Sequence, residues 1–167
     1  MKKQSKTMAT GINTAKVICV SIIICIAVSI NVSAGEKATR EECISKCKEA
    51  AELVKKIGMD AAIAKIMEKD SPFMWKDTYV FCINMKTGVM LAHPAVPNMV
   101  GKNVKGFKDK NGVLLTIGYM KIASTKGKGW FDYVWPKPGE KKPSPKSCYV
   151  YRVPGEDVMM LAGIYTD

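Results

Sequence analysis

The stretch Gly129-Trp130-Phe131-Asp132-Tyr133-Val134-Trp135-Pro136, continued by Lys146-Ser147-Cys148-Tyr149-Val150-Tyr151-Arg152-Val153-Pro154 and Val158-Met159-Met160-Leu161-Ala162-Gly163-Ile164-Tyr165, decides the fold. These are three runs of aromatic and β-branched residues separated by Pro and Gly, the pattern of a three-strand meander. Pro136 to Pro145 is charged and proline-rich and is predicted to be an unpaired hairpin connection. Alternation puts Phe131, Tyr133 and Trp135 on one face of the first strand and Trp130, Asp132 and Val134 on the other. Lys146 opens the second run, three residues before Tyr149. A lysine supplies a point charge and a phenol an oriented donor, so an aromatic strand beside them can hold a small anion. A buried lysine would need such an anion or an acidic partner.

Upstream, Tyr79 to Met85 and Val89 to His93 flank the turn Lys86-Thr87-Gly88 and read as a β-hairpin. Tyr79, Phe81 and Ile83 share one face, which makes Phe81 a candidate wall of the same pocket. Val113 to Lys126 reads as an amphipathic helix with Leu114, Ile117, Met120 and Ile122 apolar, and it carries Tyr119 toward the cavity. Glu36 to Lys56 is predicted as a long helix with Ile44, Cys47, Ala51 and Val54 on its apolar face. Thr39 and Glu42 form a candidate capping box, and Gly58 ends the helix. Asp60 is a candidate N-cap for a short helix from Ala61 to Lys69, with Ile63, Ile66 and Met67 inward. The resulting order is helix, helix, two strands, helix, three strands. The fold class is α+β: a five-stranded antiparallel PAS-like sheet with a long N-terminal helix.

The start of the chain has a different character. Lys2, Lys3, Lys6 and Lys16 precede an uncharged apolar run from Val17 to Ile30, and Val32-Ser33-Ala34 offers a small-residue cleavage site. Residues 1–34 are therefore expected to be a signal peptide cleaved after Ala34, and residues 35–167 a single domain. An uncleaved anchor is the alternative, although the run is short for a span of roughly 20 residues. The residue directly after the cleavage site is Gly35 rather than a cysteine, which argues against a lipoprotein. The protein is expected in the periplasm or secreted, with no membrane contact after cleavage. Net charge is +11 over the 167 residues. The leader holds four of the 26 basic residues and none of the 15 acidic ones, so the remainder carries +7. No nucleic-acid motif accompanies that charge, and no nucleic-acid partner is expected.

Cys43, Cys47, Cys82 and Cys148 follow the leader. An exported compartment permits disulfides. Cys43 and Cys47 stand one helical turn apart, either as small apolar residues, as a local disulfide or as a bridge to another chain. There is no haem-attachment motif, no cofactor motif and no metal set, since one histidine and scattered thiols do not make a zinc site. Ser-His-Asp order and paired carboxylates are likewise missing, so no catalytic residues are assigned and no enzyme is expected.

Asp70-Ser71-Pro72-Phe73-Met74-Trp75-Lys76-Asp77-Thr78-Tyr79-Val80-Phe81, Gly88-Val89-Met90-Leu91-Ala92-His93-Pro94, Val100-Gly101-Lys102-Asn103 and the meander together resemble a single Cache domain of type 2. The resemblance covers the chain after the leader, most sharply from Pro72 onward. It implies an extracytoplasmic sensor domain, of the kind found in chemotaxis and signal transduction, that binds small molecules, often short carboxylates. Here the sequence stops at Asp167 with no signalling domain, so it looks like the stand-alone secreted form. The resemblance adds weight to a ligand-binding set of Lys146, Tyr149, His93, Tyr133, Trp135, Phe81 and Tyr119. His93 is expected to donate to a carboxylate and to titrate near physiological pH. The family strand order 2-1-5-4-3 implies that Cys82 and Cys148 are separated by a strand and remain free thiols. The expected partner is a small carboxylate or similar molecule, with a membrane receptor or a homodimer as further partners. The rival reading is an interaction or structural module that pairs through its N-terminal helix, with a vestigial pocket.

Overall fold

The hairpin and the meander join into one antiparallel sheet, and the helices cover its two faces. The computed structural model describes residues 35–167, so the expected leader lies outside the described residues. The order is α1 (Arg40–Ile57), α2 (Met59–Met67), β1 (Met74–Trp75), β2 (Thr78–Asn84), β3 (Met90–Ala92), α3 (Leu115–Thr125), β4 (Lys128–Pro136), β5 (Pro143–Arg152) and β6 (Val158–Tyr165). A short 3-10 turn, Pro97–Met99, lies in the loop after β3.

α1 starts where the capping box predicts. The Glu42 N–H donates to the Thr39 hydroxyl at 3.2 Å, and the Thr39 N–H donates to the Glu42 carboxylate at 2.9 Å. Gly58 ends α1 with φ +83° and directly begins α2. Asp60 therefore lies inside the first turn of α2 rather than capping it. The left-handed backbone available to glycine turns the chain within one residue and leaves no room for a separate cap.

The strands run β1-β2-β6-β5-β4, with β3 also paired to β2. The expected five-strand order is present, and the two-residue β1 adds a sixth strand at the edge. β4 and β5 stay in register as far as Pro136 opposite Pro143. The unpaired connection is thus shorter than the composition indicated. Proline is tolerated there because β4 is an edge strand.

Both faces of the sheet are buried, which explains the nearly unbroken apolar runs of β2 and β6. Val80, Cys82, Tyr149, Met160 and Ala162 pack with Cys43, Cys47, Ala50, Ala51 and Val54 of α1. Tyr79, Phe81, Ile83, Cys148, Val150, Met159 and Leu161 form the other face, with Leu115, Tyr119 and Ala123 of α3. α3 is rotated from its sequence-based orientation. Leu115, Thr116, Tyr119 and Ala123 are buried, whereas Leu114 and Ile117 are exposed. Packing sets that phase: a Cβ on Gly118 would lie 2.3 Å from the Phe131 ring, so the helix can approach β4 only through this glycine.

All four described cysteines are free and buried. β6 lies between Cys82 and Cys148, which face opposite sides of the sheet. Burial pushes the Cys43 and Cys148 thiols up to about 12 and holds Cys47 well above its ordinary value. They behave as small apolar side chains rather than nucleophiles.

Candidate functional site

Lys146 lies on the same side of β5 as Cys148 and Val150, the side that α3 covers. β5 pairs it with Tyr133 of β4 on one side and Tyr165 of β6 on the other. The residue is 1% exposed. Its stem passes over Gly163, where a Cβ would lie 2.8 Å from Lys146 Cε and 2.7 Å from the Ser147 carbonyl oxygen. The ammonium donates to the Tyr165 hydroxyl at 3.2 Å, and that hydroxyl donates to the Pro136 carbonyl at 2.7 Å. Nζ also sits 4.4 Å from the Tyr79 ring centroid and 4.7 Å from that of Tyr165. Two π-faces offset part of the cost of burying the charge.

They do not complete the site. An ammonium has three donors, and Tyr165 accepts one of them. Among the described residues no carboxylate forms an ion pair with Lys146. Burial accordingly pulls its pKa down to about 8. The charge persists at neutral pH in a place where water has been removed. Burial also holds the Tyr79 and Tyr165 phenols above their ordinary value, so both remain hydroxyl donors.

His93 follows β3 and precedes Pro94, a position that favours extended backbone. The Val96 N–H donates to its Nδ1 at 3.0 Å. That bond leaves Nε2 as the protonated nitrogen of the neutral ring and therefore as a donor. Its ring centroid lies 4.8 Å from that of Tyr79, 5.4 Å from Phe81 and 6.3 Å from Trp135. Burial, reinforced by the positive charge of Lys146, lowers its pKa to about 3. His93 thus does not titrate near physiological pH as expected. The aromatic enclosure that places it in the site also keeps it neutral.

Phe81, His93, Tyr119, Tyr133 and Trp135 line one cavity between the sheet and α3. Its volume is about 20 Å³, room for about one water. Trp135 also borders a second hollow of about 120 Å³, formed by Tyr79, Ala95, Val96 and residues 136–140. The tryptophan is therefore a partition between an apolar inner space and a surface recess that reaches Tyr79.

Six of the seven sequence-derived candidates belong to this face, but Lys146 borders neither of these hollows and lies instead against a third, of about 280 Å³, with Arg40, Asp132 and Tyr133. Tyr149 is the exception. It lies three residues from Lys146, and an odd separation along a strand means opposite faces. Its ring packs 5.3 Å from that of Trp130 within the α1 core. Tyr79 and Tyr165 are the phenols the structure brings to Lys146. Alternation with Phe81 carried a signal for Tyr79. Tyr165 had none, being the last residue of an apolar run.

A family model described as single Cache domain 2 matches residues 27–167. The chain belongs to this Cache family. Among solved structures, a methyl-accepting chemotaxis protein from Vibrio parahaemolyticus RIMD 2210633 is 28% identical with a TM-score of 0.62, over 76% of this chain and 88% of that one. A structure titled for carboxylic acid recognition by a Cache chemosensory domain has a TM-score of 0.62 at 22% identity, covering 76% of this chain and 92% of its own, and shows the shared fold. The methyl-accepting chemotaxis protein McpP of Pseudomonas putida KT2440 is 28% identical over 87 residues, 52% of this chain and 16% of that protein. The Cache chain thus aligns with a small part of that curated relative. Among the described residues, no helix is long and apolar enough to cross a membrane.

Proposed function

We propose that this Cache domain is an exported sensor-type module that binds a small organic anion, such as a short carboxylate, without converting it. The observation that carries the reading is the buried Lys146 ammonium, which has unfilled donors and no carboxylate partner. A carboxylate there would take charge-assisted hydrogen bonds from Lys146 and neutral ones from the Tyr79 hydroxyl and from His93 Nε2, the Tyr165 proton being engaged by the Pro136 carbonyl. Phe81, Tyr119, Tyr133 and Trp135 would face its apolar remainder. The inner cavity is small, so binding requires Trp135 or residues 136–140 to shift and favours ligands of few carbons. The Cache chemosensory structure titled for carboxylic acid recognition supports this ligand class. In the same reading the leader is removed after Ala34 on export, and mass spectrometry of the exported protein would reveal the processed N-terminus.

Thermal-shift measurements with acetate, propionate, lactate and pyruvate test the ligand. At least one should raise the melting temperature in a concentration-dependent way. Lys146→Met should abolish that rise. The unliganded variant should melt at or above the wild-type temperature, because the substitution removes an incompletely paired buried charge. A flat response to all four acids, or an unchanged response in Lys146→Met, overturns the reading.

A further inference from the structure

We propose that the surface formed by Phe107, Val113, Leu114 and Ile117 docks on an anionic phospholipid bilayer. Among the described residues seven large apolar side chains are exposed, and five of them, Val100, Phe107, Val113, Leu114 and Ile117, fall between positions 100 and 117. Their clustering follows from the backbone. A β-bridge joins Lys108 to Leu114, and the Leu115 N–H donates to the Phe107 carbonyl at 3.1 Å. Phe107 is therefore beside Leu114, and Ile117 follows Leu114 by one helical turn. Phe107 is shared, since its ring also packs 6.1 Å from that of Trp135 at the inner cavity, but Val113, Leu114 and Ile117 are not needed to seat α3. The helix is held from its other side, by Leu115 and Tyr119 in the core and by the Thr116 hydroxyl, which donates to the Val104 carbonyl at 2.7 Å.

Charge identifies the occupant. Lys102, Lys108, Lys110 and Lys121 are exposed around the patch and form no ion pair among the described residues. Asp109 is the one acid between positions 98 and 128, and it is turned inward. Its carboxylate accepts N–H bonds from Asn111 and Val113 at 2.9 Å each and from Val134 at 3.0 Å. The outward surface is thus apolar tips within a one-signed rim. Such a surface suits a bilayer, where apolar side chains enter the headgroup boundary and lysines meet lipid phosphates. Centres of protein interfaces favour Tyr, Trp and Arg and avoid Lys. This patch is aliphatic apart from Phe107 and its cations are lysines, which favours lipid over a protein partner. The proposal rests on Val113, Leu114 and Ile117, which line neither hollow of the ligand site, although Phe107 borders both surfaces.

Amide hydrogen exchange of the full chain tests it, with vesicles of phosphatidylethanolamine and phosphatidylglycerol compared against phosphatidylcholine. Peptides covering residues 105–121 should exchange more slowly on the anionic vesicles only, and added salt should weaken that protection. Leu114→Glu combined with Ile117→Glu should remove the protection and weaken vesicle binding by at least about tenfold, with an unchanged melting temperature. The local readout separates this surface from the apolar run near the N-terminus. Vesicle binding without protection at 105–121 overturns the proposal, as does protection that survives the double substitution. No protection on anionic vesicles also overturns it and returns the patch to a protein partner.

Discussion

On the α1 face, the sheet meets Cys43, Cys47, Ala50, Ala51 and Val54, small side chains that bring helix and strands close. On the α3 face it meets Tyr79, Phe81, Tyr119 and Tyr133, with Lys146 and His93 among them. The two faces share the same strands and differ by one residue of phase. The first is filled by apolar groups, small on α1 and larger on the strands, with no buried charge. The second buries a cation and a neutral imidazole beside open space. Stability and binding are thereby assigned to alternate residues of the same strands, and Lys146 and Tyr149 show how sharply that division falls.

The comparison can be broken most strongly from the packed side. Ile66 of α2 is fully buried in the α1 core. Ile66→Ala should destabilise the protein by about 2–5 kcal/mol in urea unfolding, with the carboxylate-induced thermal shift retained at a temperature where the variant is folded. Loss of that shift would show that the two faces are coupled.

The α3 face should dominate the pH dependence. His93 has a pKa of about 3 in the folded protein, against an ordinary 6.5. The unfolded chain binds the extra proton first. The stability this group contributes is complete above about 6.5 and is lost as pH falls toward about 3, a loss of a few kcal/mol. His93→Gln should flatten that acid limb in unfolding measurements. Lys146 has the same sign in another window, because its pKa is lowered to about 8 from 10.5. Its burial penalty is relieved as pH rises from about 8 toward 10.5, so the unliganded fold gains stability there. Anion binding should move oppositely and weaken above about pH 8, where the ammonium is lost. A binding constant that stays level from pH 7 to 10 would remove Lys146 from the site.

The smallest effect is expected at the N-terminal cap of α1. Thr39→Ala removes one half of the capping box and should lower stability by about 1 kcal/mol, without altering the ligand response. A changed response would mean that the start of α1 and the cavity communicate.

Much of this arrangement was legible beforehand. The meander, the hairpin and the opposition of Trp130 to Tyr133 and Trp135 follow from period-two alternation, and the family resemblance supplied the strand order. The phase of α3 was not legible, because the helix is apolar on both sides. Leu114 and Ile117 compete with Leu115 and Tyr119 for the interior, and a glycine facing Phe131 decides between them. Tyr149 was grouped with Lys146 by proximity in sequence, although alternation already separates them. The low pKa of His93 depends on rings drawn from β2 and β4 together with the charge of Lys146, and no local pattern contains that environment.

Gly163 places a double constraint on the site. The space above it belongs to the stem of Lys146, and even a methyl group there would collide with Lys146 Cε and the Ser147 carbonyl oxygen. Gly163 offers no side-chain donor, yet any larger residue would force both the lysine stem and the β5 backbone to move. The glycine, 17 residues from Lys146 in the chain, is required twice over, by the lysine stem and by the backbone of Ser147 and Cys148. The aromatic walls can therefore be altered one at a time to test other ligands, whereas a substitution at Gly163 disturbs the strand pairing and the lysine together.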